Sequence, residues 1–157
     1  MGWVESLYGM TVGLDTAPLI YFIEEEPRYL ELVRPFFQAI SRGDIRAVTS
    51  MVTLLEVLVH PLRRGDSSLA ARYRDILLNS EGVTTLPLTA EIAEEAAKLR
   101  AAFSLRTADA IQVATVIRGG ASHLLTNDER LGSVTAATVL VLSELQTNSS
   151  RSDASRL

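Results

Sequence analysis

Apolar residues along the chain fall into two alternating kinds of run. Short, nearly continuous runs end at polar residues: MTVGLD (10–15), IRAVTS (45–50), VTTLPL (83–88), SHLLT (122–126) and TVLVL (138–142). Their length and continuity suit strands buried on both faces. Between them lie longer stretches with apolar residues at helical spacing. Thr16 and Pro18 open a helix that runs through Glu24–Glu26 and ends at Pro27. Residues 28–42 set Leu30, Val33, Phe36, Phe37 and Ile40 on one face, and Gly43–Asp44 stops them. A cap at Thr49 or Ser50 starts a third helix, which runs to His60 before Pro61. Three further helices are predicted over 66–79, from Thr89 to about Phe103, and from Thr107 to Gly119–Gly120.

Strands alternating with helices predict an α/β fold, a parallel sheet with helices over both faces. No internal repeat is visible, and residues 1–145 are expected to form a single domain. The last stretch, 146–157, ends in NSSRSDASRL and has the small polar composition of a disordered tail. Aromatic residues at helical spacing, Tyr21, Phe22, Phe36 and Phe37, belong mostly to the core, with a partner groove or dimer contact as the other use for some of them.

Composition narrows the function classes. The chain has no cysteine, so disulfides and thiolate metal sites are excluded, and a reducing cytoplasm fits. No apolar run reaches the roughly 18–20 residues that a membrane span needs. The first residues, MGWVESLYGM, lack the basic start and apolar stretch of a signal peptide, and Gly2 with Ser6 is a poor lipidation signal. A net charge of −4 argues against binding nucleic acid by bulk charge; if the chain handles RNA, attraction has to come from local arginines and bound metal. Lys98 is the only lysine; the arginine bias suits bidentate phosphate contacts, but a GC-rich genome is the weightier reading of it.

Four acids stand where acids are unexpected. Asp15 closes an apolar strand, at the edge where ligands of open α/β sheets sit. Glu56 lies in SMVTLLEVLVHP, where nearly every neighbour is apolar and a buried carboxylate needs a partner, a proton or a metal. Asp109 occupies the first turn of the helix TADAIQVATVI, and Asp128 follows the strand SHLLT. Each has an ordinary structural use as well. Asp15 and Asp128 suit caps or turns, Asp109 suits the helix dipole, and Glu56 suits a polar stripe with Thr53 and His60. Together they can converge on one pocket, where hard divalent cations want such oxygens and where like charges without a cation repel.

In the order and spacing of GLDTAPLIYFIE (13–24), TSMVTLLEVLVHP (49–61), LRTADAIQVATVI (105–117) and HLLTNDERL (123–131), the chain resembles the PIN-domain family, and within it the VapC toxin ribonucleases. The resemblance covers roughly residues 10–142. It implies a three-layer α/β/α sandwich with sheet order 3-2-1-4-5. It also implies an acidic cluster of Asp15, Glu56, Asp109 and Asp128 around Mg²⁺ or Mn²⁺, with Thr126 and Thr16 as supporting hydroxyls. The implied activity is hydrolysis of RNA phosphodiester bonds, and the implied partners are a VapB-like antitoxin and a second copy of the chain. Around the last acid the sequence has Asn127, Glu129 and Arg130, which leaves Glu129 as a substitute or supplement for Asp128. Arg106 is a candidate for a substrate phosphate, or else a solvated charge at a helix start; Arg63 and Arg64 are loop arginines of the same two uses. His60, four residues after Glu56, is placed outside the site as a neighbour of it. The rival reading is a PIN-like module that binds RNA or protein without catalysis. Flap-type nucleases carry extra helical arches, and phosphatase-like α/β proteins need an acid pair after the first strand; neither feature is present.

Overall fold

A computed structural model describes residues 2–146. Five strands, β1 (Thr11–Leu14), β2 (Arg46–Ser50), β3 (Val83–Leu86), β4 (His123–Thr126) and β5 (Thr138–Val141), form one sheet in the order β3-β2-β1-β4-β5. Every pairing is parallel, with Gly13 opposite both Val48 of β2 and Leu124 of β4. The expected α/β architecture and strand order are those observed. All five carboxyl ends therefore lie along one edge.

Among the described residues, six α-helices lie between the strands and cover them: α1 (Thr16–Ile23), α2 (Leu30–Arg42), α3 (Met51–Arg63), α4 (Ser67–Asn79), α5 (Ala90–Phe103) and α6 (Thr107–Arg118). Side chains that alternate along each strand divide the core in two. Val12, Leu14, Ala47 and Leu125 point towards α1, α2 and α4 and join Leu19, Val33, Phe36 and Tyr73. Leu124 points the other way, into the layer made by Ile92, Ala96, Leu99, Ala110 and Val113 of α5 and α6. The first residues also serve the core. Val4 and Leu7 are buried around a short 3-10 turn (Glu5–Leu7), and Trp3 stacks on Phe36 at 5.9 Å.

Several boundaries differ from the sequence expectation, each for a local reason. Helix α1 stops at Ile23, because Glu25 adopts a left-handed φ of 54° that no helix can absorb. Helix α3 continues through Pro61 to Arg63. Proline keeps a helical φ and removes one hydrogen bond, a small loss in the last turn, where its ring is buried. Ser50 caps α3 by accepting from the Val52 N–H at 3.0 Å, which leaves Thr49 for another use. The residues after β5 form a helical turn over 142–146, so Gln146, expected in the tail, donates to the Arg28 carbonyl at 2.9 Å. The remaining tail residues lie outside the described residues.

The larger correction concerns α3. An almost wholly apolar helix is expected to be enclosed. Instead Met51, Leu55, Val59 and Leu62 are exposed, Leu55 and Leu62 by 64% and 66%. Glu56 is likewise exposed rather than buried.

Candidate active site

The parallel sheet decides where the site lies. Gly13 lets α6 approach β1 so closely that a Cβ there would stand 2.2 Å from Cγ2 of Val116. This approach brings the first turn of α6 beside the end of β1. An open cleft of about 620 Å³ results at the carboxyl edge, lined by Asp15, Thr16, Glu56, Arg106, Asp109 and Asp128, with Tyr21, Asn127, Glu129 and Arg130 around them. All four predicted acids, contributed by four separate segments, face this one cleft.

Asp15 is the best ordered of them. Its backbone N–H stays in register, donating to the Leu125 carbonyl at 3.0 Å. Its Oδ1 accepts from the Thr16 N–H at 2.8 Å, which caps α1, and its Oδ2 accepts from the Thr126 hydroxyl at 2.7 Å. The capping use and the site use of Asp15 therefore coexist. Burial raises its carboxyl above the ordinary value; bonds from Thr126 and the Thr16 N–H pull it down, and the charges of Asp109 and Asp128 push it up.

Thr126 ties two acids together. Its hydroxyl donates to Asp15 and accepts from the Asp128 N–H at 3.0 Å. Thr16 likewise donates from its hydroxyl to Glu56 Oε1 at 3.3 Å. Desolvation is the largest cause raising the Glu56 carboxyl, followed by the charge of Asp15; the Thr16 bond lowers it, Asp109 raises it and Arg106 lowers it. Asp109 holds Arg106 at 3.1 Å, and Asp128 holds Arg130 in a bidentate pair at 3.0 and 2.6 Å. That arginine keeps the Asp128 carboxyl below its usual range.

The donor set is all oxygen and mostly anionic, the chemistry that Mg²⁺ and Mn²⁺ prefer. Among the described residues no three acids or histidines already stand in ligating geometry. Two of the four carboxylates are turned onto arginines; burial first, and charge repulsion within the cluster after it, raise Asp15 and Glu56. A divalent cation would relieve that repulsion and take over from Arg106 and Arg130, so the residues present fit one.

Glu129 lines the cleft and accepts from the Ser143 hydroxyl at 3.1 Å, while Asp128 lies closer to the Asp15–Thr126 pair. His60, Arg63 and Arg64 are not among the lining residues. Sequence reasoning named Asn127 only as a neighbour of the last acid, where it donates to the Tyr21 hydroxyl at 3.1 Å, and missed Gln112, which lies beneath Asp15. An amide inside the apolar run AIQVATVI was the available signal for Gln112, because a buried polar group needs a partner.

A family model of the PIN domain matches residues 12–137. No curated protein matches the chain. Among solved structures, it is similar to VapBC2 from Rickettsia felis bound to a promoter DNA fragment, with 15% identity, a TM-score of 0.67, and coverage of 84% of this chain and 98% of that one. A toxin–antitoxin complex from Klebsiella pneumoniae gives 21% identity, a TM-score of 0.62, and coverage of 83% and 97%. DNA-bound VapBC from Salmonella typhimurium gives 16%, 0.60, and coverage of 85% and 98%. At these identities the likeness is one of fold.

Proposed function

The chain belongs to the PIN-domain family, and from that premise we propose that it is a metal-dependent endoribonuclease, the toxin of a VapBC-type toxin–antitoxin pair. The supporting observation is the gathering of Asp15, Glu56, Asp109 and Asp128 in one cleft, with Thr126 and Thr16 bonded between them. The nuclease unit spans residues 1–145 and works in the cytoplasm.

In this reading Asp15, Asp109 and Asp128 hold Mg²⁺ or Mn²⁺, with Glu56 binding directly or through water. The cation, when bound, neutralises charge on the phosphate oxygens and acidifies a water. Thr126 fixes Oδ2 of Asp15, so the carboxylate meets its ligand without a reorientation cost. Thr16 holds Glu56 at the mouth, where it orients water or takes its proton. Arg106, released from Asp109, is placed to accept a substrate phosphate. The reaction is hydrolysis of an RNA phosphodiester.

The solved neighbours described as VapBC and toxin–antitoxin complexes support an antitoxin partner for this chain. An acidic cleft with two arginines already seated on its carboxylates suits a partner that inserts a cation of its own. The exposed apolar face of α3 supports a homodimer, since a second copy would remove Leu55 and Leu62 from water.

Cleavage of a panel of RNAs tests the activity. We expect cleavage in Mn²⁺ that EDTA stops, and at least a hundredfold loss in Asp15→Ala and Asp109→Ala. Full cleavage by purified Asp15→Ala would sink the assignment. The arginine pairs on Asp109 and Asp128 also suit a binding module without catalysis. That reading predicts no heat of Mn²⁺ binding and no RNA cleavage.

A further inference from the structure

Among the described residues, the buried polar side chains are few: Thr49, Ser50, Thr53, Gln112, Thr115 and Thr126. Ser50 caps α3 and Thr115 bonds the Ile111 carbonyl within α6, both ordinary uses. Thr126 bonds the far oxygen of Asp15, and the remaining three form a connected set beneath that acid. Gln112 Nε2 lies 2.6 Å from Thr53 Oγ1, and 3.4 Å from both Asp15 Oδ1 and Thr16 Oγ1. Thr53 Oγ1 lies 2.9 Å from Thr49 Oγ1, which lies 2.6 Å from the Leu14 carbonyl oxygen.

Proton counting gives this set a direction. The Leu14 carbonyl only accepts, so Thr49 spends its single proton there. Thr53 must then donate to Thr49, and its own oxygen must accept from Gln112. Gln112 is therefore held with its NH₂, not its carbonyl, towards Thr53. The second N–H of the same NH₂ is left facing Asp15 Oδ1 and Thr16 Oγ1. The chain of donors runs from α6 through α3 and β2 to the carbonyl of Leu14, the residue before Asp15. It starts and ends on the two sides of one acid.

We propose that Gln112 is a positioning residue for Asp15, locked by Thr53 and Thr49 so that its amide N–H steers the carboxylate towards the metal. The proposal rests on the reading of Asp15 as a metal-binding acid. Gln112 stands behind that acid, buried to 3% exposure and absent from the cleft lining, so it touches neither substrate nor cation. Its effect passes through Asp15, as partners of metal-ligating carboxylates generally act.

Calorimetric titration of the full chain with Mn²⁺ alone tests it, with RNA cleavage followed in parallel. Wild type should bind and Asp15→Asn should not; if wild type fails to bind, the metal reading falls and the positioning role with it. Given that control, Gln112→Met, which keeps the volume and removes both donors, should weaken Mn²⁺ binding by about 10–100-fold. Its KM for RNA should stay at the wild-type value, and its cleavage rate should recover at saturating Mn²⁺. Gln112→Met binding Mn²⁺ within twofold of wild type would overturn the proposal. Should that variant not fold, the pair Thr53→Val and Thr53→Ser decides. The valine, which breaks the chain one bond from the amide, should weaken binding, and the serine should restore it. Equal affinities in the two would overturn the proposal equally well.

Discussion

Single side chains in the cleft carry two assignments at once, and Asp15 is the clearest case. It caps α1, holds the Thr126 hydroxyl and faces three other acids. Because burial and its acidic neighbours raise its pKa, the folded chain holds a proton on Asp15 more tightly than the unfolded chain does. That preference stabilises fully below the ordinary value of 3.8 and is lost as pH rises through the folded value. Asparagine carries no charge to lose. In EDTA-treated protein, Asp15→Asn should therefore gain a few degrees in Tm relative to wild type between about pH 4 and about pH 7.5. Calorimetry at both pH values checks this; an equal gap at the two would contradict the electrostatic account. The same residues show what a sequence discloses. Asp15, Asp109 and Asp128 stood out because each follows or opens an apolar run. Glu56 was singled out by an argument about burial that the structure does not support, since the apolar neighbours Leu55 and Val59 are themselves exposed. Gln112 satisfies the burial argument better than Glu56 does, but an uncharged amide in an apolar run stands out less than an acid.

At the scale of elements, the site depends on how close α6 comes to β1. Gly13 permits that approach; a methyl group there meets Val116 at 2.2 Å and the His123 carbonyl at 3.1 Å. Gly13→Ala should cost about 1–3 kcal/mol in urea unfolding, by forcing α6 outward. Asp109 and Gln112 ride on that helix, so Mn²⁺ affinity should fall with the stability. Unchanged affinity in a destabilised Gly13→Ala would separate packing from the site. Strand and helix order was legible because each strand is a short apolar run and each helix has a periodic face. Boundaries were less so, and the reasons are particular. Pro61 reads as a stop, yet α3 runs two residues past it with the ring buried, and forfeits only the hydrogen bond that the proline itself cannot donate. Glu25 turns left-handed two residues before Pro27, ending α1 earlier than the proline itself required.

For the whole molecule, the open question of surface falls on α3. Met51, Leu55, Val59 and Leu62 make an apolar stripe on a helix whose Glu56 reaches into the cleft. If a second copy covers this stripe, Leu55→Asp should yield a monomer by sedimentation while changing stability of the isolated chain by less than about 0.5 kcal/mol. A variant that sediments like wild type would place association elsewhere or exclude it. Sequence alone could not tell this face from a core face, because periodicity reports that a stripe is apolar and not what meets it.

The bond between Thr126 and Asp15 joins residues 111 positions apart, across two neighbouring strands at the middle of the sheet. The ribosome therefore releases Asp15 long before the hydroxyl that orders it. A nascent chain carrying β1, β2 and β3 has the first acid and Glu56, but neither Thr126 nor Asp128. The pair of residues can bond only once β4 lies beside β1. On the proposed nuclease reading, a chain still lacking β4 holds the first acid without the hydroxyl that fixes it and without Asp128, so it has no complete site to cut with.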